Sequence, residues 1–156
     1  MYFIYIIFVA ILVAIDQLTK HLAILNLMGN GRVEIIPNLL NFVYVENRGA
    51  AWGMFSNNTF ALSIISLIVT CFLIWILVNR KKYFTFKRID FIILLIISGA
   101  LGNFIDRFFR TYVVDFLEFG FISFPVFNMA DVYVVVGSIL LALVTIFFEK
   151  EDKAND

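Results

Sequence analysis

The chain has 156 residues, of which 62% are hydrophobic and 15% charged, with 12 basic and 12 acidic side chains and a formal net charge of zero. A mean hydropathy of +0.96 with so little charge excludes a soluble domain, and the charge balance offers nothing to hold a nucleic acid. The length leaves room for a single integral membrane domain, 1–156, and no soluble one.

The first apolar stretch, Met1 to Ile15, carries no charge and is expected to continue as a helix through Asp16 to about residue 23. It lacks the basic start and small-residue cleavage site of a secretory signal, so it reads as a retained helix. Residues 31–55 contain Leu39 to Glu46 (LLNFVYVE), rich in β-branched and aromatic residues between Pro37 and Gly49. That composition predicts strand in a small sheet at the membrane surface. A second helix is expected over about 60–78, with Asn58 or Thr59 as its cap. The third is expected over about 89–109 and the fourth over about 131–148. Roughly 20 helical residues cross a ~30 Å hydrocarbon core, and each segment comes close to that. Between the last two helices, Thr111 to Phe127 is aromatic, with Gly120 and Pro125 as turn signals, and is expected to form a second outer loop. The fold class is therefore an all-α membrane protein of four transmembrane helices, carrying a small extracytoplasmic β-sheet and a second extracytoplasmic loop.

Basic residues orient the helices. Five of the ten residues from Asn79 to Arg88 are Lys or Arg, which places this link in the cytoplasm together with both termini. The charged tail from Glu149 to Asp156 reads as a solvated end. Cys71 is the only cysteine and His21 the only histidine, so neither a disulfide nor a metal centre is expected, and no cofactor is implied.

This topology brings four acids to one depth. Asp16 lies near the outer end of the first helix, and Asp106 lies about 27 Å beyond Arg88, near the outer end of the third. Asp131 opens the fourth helix, and Asp115 sits in the loop before it. An acid at a membrane border needs a partner or a function. Asp115 and Asp131, sixteen positions apart, can share a proton and activate a water if they meet. Asn128, three residues before Asp131, can cap the fourth helix or share its face. On the third helix Gly99, Gly102, Asn103, Asp106, Arg107 and Arg110 form one stripe. Its glycines favour close helix packing, and Asn103 and Arg107 suit either packing or support of a site. Asp16 and Lys20 can pair at i, i+4. Gln17 and His21 read as ordinary interfacial polar groups, and Asp90 as an acid favoured by its helix dipole. The stretch Asn47-Arg48-Gly49-Ala50-Ala51-Trp52-Gly53 reads as a turn or as small residues that let a backbone approach a substrate.

Five segments resemble the bacterial lipoprotein signal peptidases (signal peptidase II) in order and spacing. They are DQLTK from Asp16, NRGAAW from Asn47, GALGNFIDR from Gly99, VVDF from Val113 and FNMAD from Phe127. The resemblance covers nearly the whole chain. It implies an intramembrane aspartic protease with an extracytoplasmic β-cradle, acting in the bacterial plasma membrane. Such enzymes remove the signal peptide of prolipoproteins just before a diacylglyceryl-modified cysteine. It further implies Asp115 and Asp131 as the catalytic pair, and Asp16, Lys20, Asn47, Gly49, Asn103, Arg107 and Asn128 as residues that shape or support the site. Expected partners are diacylated prolipoprotein signal peptides, membrane lipids and globomycin-type inhibitors.

Two other readings of the acids stay open on the residues alone: an ion or proton pathway, and a non-catalytic scaffold for lipoproteins. Charges confined to the outer third of the membrane fit a pathway poorly. No His-Glu-x-x-His and no Gly-x-Ser-x-Gly is present to support a zinc or serine hydrolase.

Overall fold

The computed structural model describes residues 2–49, 58–79 and 89–147. Four long helices follow the apolar runs: α1 (Tyr2–Leu27), α2 (Thr59–Val78), α3 (Ile89–Arg110) and α4 (Met129–Phe147). All four are long and apolar enough to cross a bilayer. Three strands, β1 (Val33–Ile36), β2 (Leu40–Asn47) and β3 (Val113–Phe119), make one antiparallel sheet in the order β1-β2-β3. Residues 50–55 of the expected β region, the basic link over 80–88 and the tail from Glu149 lie outside the described residues.

α3 is the central helix. In its most apolar window 56% of residues are buried, against 22% or fewer in the other three, so it packs on protein while they face lipid. Small residues make that packing close. A Cβ on Gly99 would collide with the Ala130 carbonyl and Val134 of α4, and one on Gly137 would meet Ile96. At Gly102 it would run into the Asp16 carboxylate of α1. Without a hydrophobic drive between helices in lipid, such close approach is the main source of association. Away from the sheet, Tyr5, Leu73, Ile89, Ile93, Ile97 and Val144 form a core drawn from all four helices. There Tyr5 donates a hydrogen bond to Asp90, which is buried.

Helix ends follow local chemistry. The Asn58 side chain accepts from the Ala61 amide at 3.3 Å and caps α2 as expected. α1 runs on to Leu27, further than its apolar pattern suggests, and ends where Gly29 turns with a φ of +83°. The β1–β2 turn places Pro37 before Asn38, whose φ is +57°, and the Asn38 amide donates to Glu34 at 2.8 Å.

The stretch over 113–119 is a strand and not the start of a loop, so Asp115 stands on β3. β2 pairs with β3 from Leu40↔Phe119 to Asn47↔Val113, with a register shift between Phe42 and Val45 that sets Val45 opposite Asp115. One face of the sheet packs on the end of α1 through Ala23, Leu27, Val114 and Phe116. Beyond β3 the chain turns back. The Phe127 carbonyl accepts from the amides of Phe116 (3.0 Å) and Leu117 (2.8 Å), and the Phe127 amide donates to Leu117 at 2.9 Å. This closed loop delivers the chain directly into α4.

Candidate active site

At the sheet end of the bundle, the polar residues of the five segments come together. α4 begins with a reciprocal cap: the Asn128 side chain accepts from the Asp131 amide at 3.0 Å, and the Asp131 carboxylate accepts from the Asn128 amide at 3.1 Å. With its oxygen so committed, Asn128 turns its Nδ2 toward Asp115, 2.5 Å from Oδ1, and toward the Asn103 oxygen at 3.2 Å. One asparagine thus bridges the two acids that the sequence sets apart.

Each carboxyl receives a second donor. Asn47, at the end of β2, donates to Asp115 Oδ2 at 2.8 Å while its own oxygen accepts from the Gly49 amide at 2.9 Å. Asn103 of α3 donates to Asp131 Oδ1 at 2.7 Å. The direction of the Asn103 amide follows from Lys20, whose ammonium lies 3.0 Å from Asn103 Oδ1. An ammonium only donates, so the oxygen must face it and the NH₂ must face Asp131.

Lys20 is held in turn by Asp16 Oδ2 and Asp106 Oδ2, both at 2.9 Å, and all three side chains are 0% exposed. Its three N–H bonds are thereby used, which is how a buried ammonium becomes tolerable. Asp16 also accepts from the Ala130 amide at 2.9 Å, tying α1 to the start of α4. Asp106 accepts from Arg110 at 2.7 Å and from the Val114 amide at 3.3 Å, tying α3 to β3. Gln17 is a structural linker and not an ordinary interfacial group: it donates to Asp16, the Gly102 carbonyl and Asp106. Its signal in the sequence is position, since Gln17 and Lys20 stand at i, i+3 on one face. His21 is exposed, as expected of an interfacial group.

Both acids face a cavity of about 1090 Å³. Asn47, Gly49, Asn103 and Arg107 also line it, while β2, the loop after β3 and α4 supply apolar walls, including Val45, Phe124, Phe127, Val132 and Val136. Arg107 reaches across to the Gly49 carbonyl at 3.2 Å. Every site residue singled out in the sequence except Asp16, Lys20 and Asn128 lines the cavity; those three lie behind it and hold what does.

Burial pushes the Asp115 carboxyl up to about 7, and the neighbouring Asp131 charge adds to this against the donors Asn47 and Asn128. Charge counting agrees. Asp16, Asp106, Asp115 and Asp131 face only Lys20, Arg107 and Arg110 among the described residues, so one proton on a carboxyl makes the cluster neutral. Two carboxyls, one proton and an apolar wall can activate a water against an amide. Among the described residues no group of His, Cys, Asp and Glu is placed to hold a metal ion.

Known proteins are similar to this chain in sequence and fold. Residues 8–147 match the family model described as Signal peptidase (SPase) II. The chain is 43% identical to the lipoprotein signal peptidase of Clostridioides difficile (strain 630), covering 96% of this chain and 99% of that protein. It is 41% identical to that of Clostridium acetobutylicum, covering 94% and 95%. A structure described as a bacterial membrane enzyme, solved by the in meso method, superposes with a TM-score of 0.81 at 32% identity, covering 97% of this chain and 90% of that one. With four membrane-length helices, a three-stranded sheet and a family match over nearly its whole length, this chain belongs to the signal peptidase II family.

Proposed function

We propose that this membrane protease removes the signal peptide from diacylglyceryl-modified prolipoproteins, cutting just before the lipidated cysteine, with Asp115 and Asp131 as its reacting pair. The observation that carries the reading is the Asn128 bridge between two carboxyls in the wall of a largely apolar cavity. The pair holds one shared proton. Asp131 stands in the first turn of α4, where the helix dipole favours its negative charge. The ionised carboxylate takes a proton from water, which attacks the scissile carbonyl; the protonated one polarises that carbonyl and then supplies the leaving amine. Asn47, Asn103 and Asn128 aim the carboxyls. Asp16 and Lys20 hold Asn103, and Gly49 is the anchor that Arg107 grips.

The substrate is a signal helix carrying a lipid, so the cavity has to open sideways into the bilayer. The Val132 and Val136 wall of α4 suits that entry, since apolar side chains there meet the signal helix as they would meet lipid. By the distribution of basic residues, both termini lie in the cytoplasm and the carboxyl pair at the outer face. Globomycin-type peptides are expected to occupy the same cavity.

Purified protein in lipid should cleave a diacylated prolipoprotein peptide at the bond before its modified cysteine. Asp115→Asn and Asp131→Asn should each lower kcat about 10²- to 10⁴-fold, the range of a lost general acid or base. Full turnover by either variant would remove that residue from the chemistry.

A further inference from the structure

We propose that a second groove, between α2 and α3, is an acyl-chain subsite that takes one tail of the substrate's diacylglyceryl group. The inference rests on the reading of the chain as a prolipoprotein peptidase. The groove has a volume of about 350 Å³ and lies at the same end of the bundle as the carboxyl pair. Phe60, Ile64 and Leu67 of α2 and Phe104 and Phe108 of α3 give it apolar sides. Thr59, Thr111 and Arg107 give it a polar mouth. From Thr59 to Leu67 it follows α2 for about 12 Å at 1.5 Å per residue. Polar at one end and apolar beyond it except for Ser63, whose hydroxyl donates to the Thr59 carbonyl, it has the profile of an ester with its tail.

Two further observations point to a ligand of that kind. Arg107 lines both this groove and the large cavity, so its side chain is the step between them. Its Nε is buried and has no hydrogen-bond partner among the described residues, although the same guanidinium donates to the Gly49 carbonyl. A buried donor without an acceptor is costly, and an ester carbonyl supplies an acceptor without bringing charge. The diacylglyceryl group carries two tails on one cysteine next to the scissile bond. The signal helix itself requires the apolar mouth of the large cavity along α4. A tail that crosses over Arg107 into the second groove leaves that mouth to the peptide and fixes the cysteine from a second direction.

Lipid tails are as apolar as the groove, so the gain is packing and positioning rather than desolvation. The expected effects are therefore moderate. The test compares long-chain and short-chain diacyl forms of one prolipoprotein peptide on the full-length protein in lipid. Leu67→Trp and Ile64→Trp, which fill the groove from half-exposed positions away from the carboxyls, should raise KM for the long-chain form about tenfold, some 1.4 kcal/mol. KM for the short-chain form should change less than about twofold, so the preference between the two should collapse.

A photoactivatable group on the long tail should label Ile64, Leu67, Phe104 or Phe108 of the unaltered protein. Unchanged chain-length preference in both variants, or labelling confined to α4, overturns the subsite. So does labelling by a photoactivatable membrane phospholipid that the substrate fails to displace, which would make the groove a site for bulk lipid. A wild-type protein that cleaves none of the peptides overturns the peptidase reading instead.

Discussion

Asp115 makes the active pair sensitive to pH near neutrality. Its carboxyl titrates at 3.8 when unperturbed and at about 7 in the folded protein, so folding binds a proton across that interval. The stability this proton confers is complete below about pH 4 and is lost as pH rises through about 7. At ~1.4 kcal/mol per unit it amounts to roughly 4 kcal/mol. The Tm of the purified protein should fall from pH 5 to pH 8, and Asp115→Asn should flatten the profile; a wild-type Tm that rises over the window would contradict the assignment. For the same reason kcat/KM should decline above about pH 7 as the shared proton leaves. Lys20 tests the support beneath. Lys20→Met leaves Asp16 buried without its cation and Asp106 with Arg110 alone, at a cost of about 3–5 kcal/mol by thermal unfolding. It also leaves the Asn103 oxygen held by Asn128 alone, so kcat should drop even where the variant stays folded. The acids and Lys20 were legible in the sequence, because charges are conspicuous among apolar residues. The directions of the three asparagine amides were not: that of Asn103 is fixed by Lys20 on another helix, and those of Asn47 and Asn128 by the turn each makes toward the Gly49 and Asp131 amides.

The four helices were legible because length and apolarity define them, and the Asn58 cap was legible because its bond is local. β3 was missed. Val113–Phe119 carries β-branched and aromatic residues like β2, but what makes it a strand is pairing with residues more than sixty positions earlier, and no local signal reports that. The glycine stripe of α3 was read as packing, and the collisions a Cβ would make at Gly99 and Gly102 bear this out. Gly102→Ala would press on the Asp16 carboxylate and Ala130, so it should cost about 1–3 kcal/mol as an overpacked contact. Because Asp16 holds Lys20, the same change should reduce kcat more than it alters KM. An alanine variant as stable and active as the parent would show that the α1–α3 contact has slack.

The membrane frame of the whole molecule rests on composition and was readable from the outset; the sidedness proposed for it comes only from the basic link. After Cys71→Ser, a cysteine placed at Lys82 should react with an impermeant maleimide only from the cytoplasmic side, and one placed at Glu34 only from outside. The reverse pattern would turn the molecule over. Chelators should leave turnover unchanged, since water activation is assigned to carboxyls alone.

One feature of the loop after β3 governs how such an enzyme can move. Phe127 is laced to Phe116 and Leu117 by three main-chain bonds, so the strand bearing one acid and the helix bearing the other are hinged to each other directly. The spacing between the acids is set by this short clasp and by Asn128, with Asn103 of α3 bracing Asp131. The two jaws of the tool are therefore one piece, and the cutting edge keeps its set as a peptide arrives.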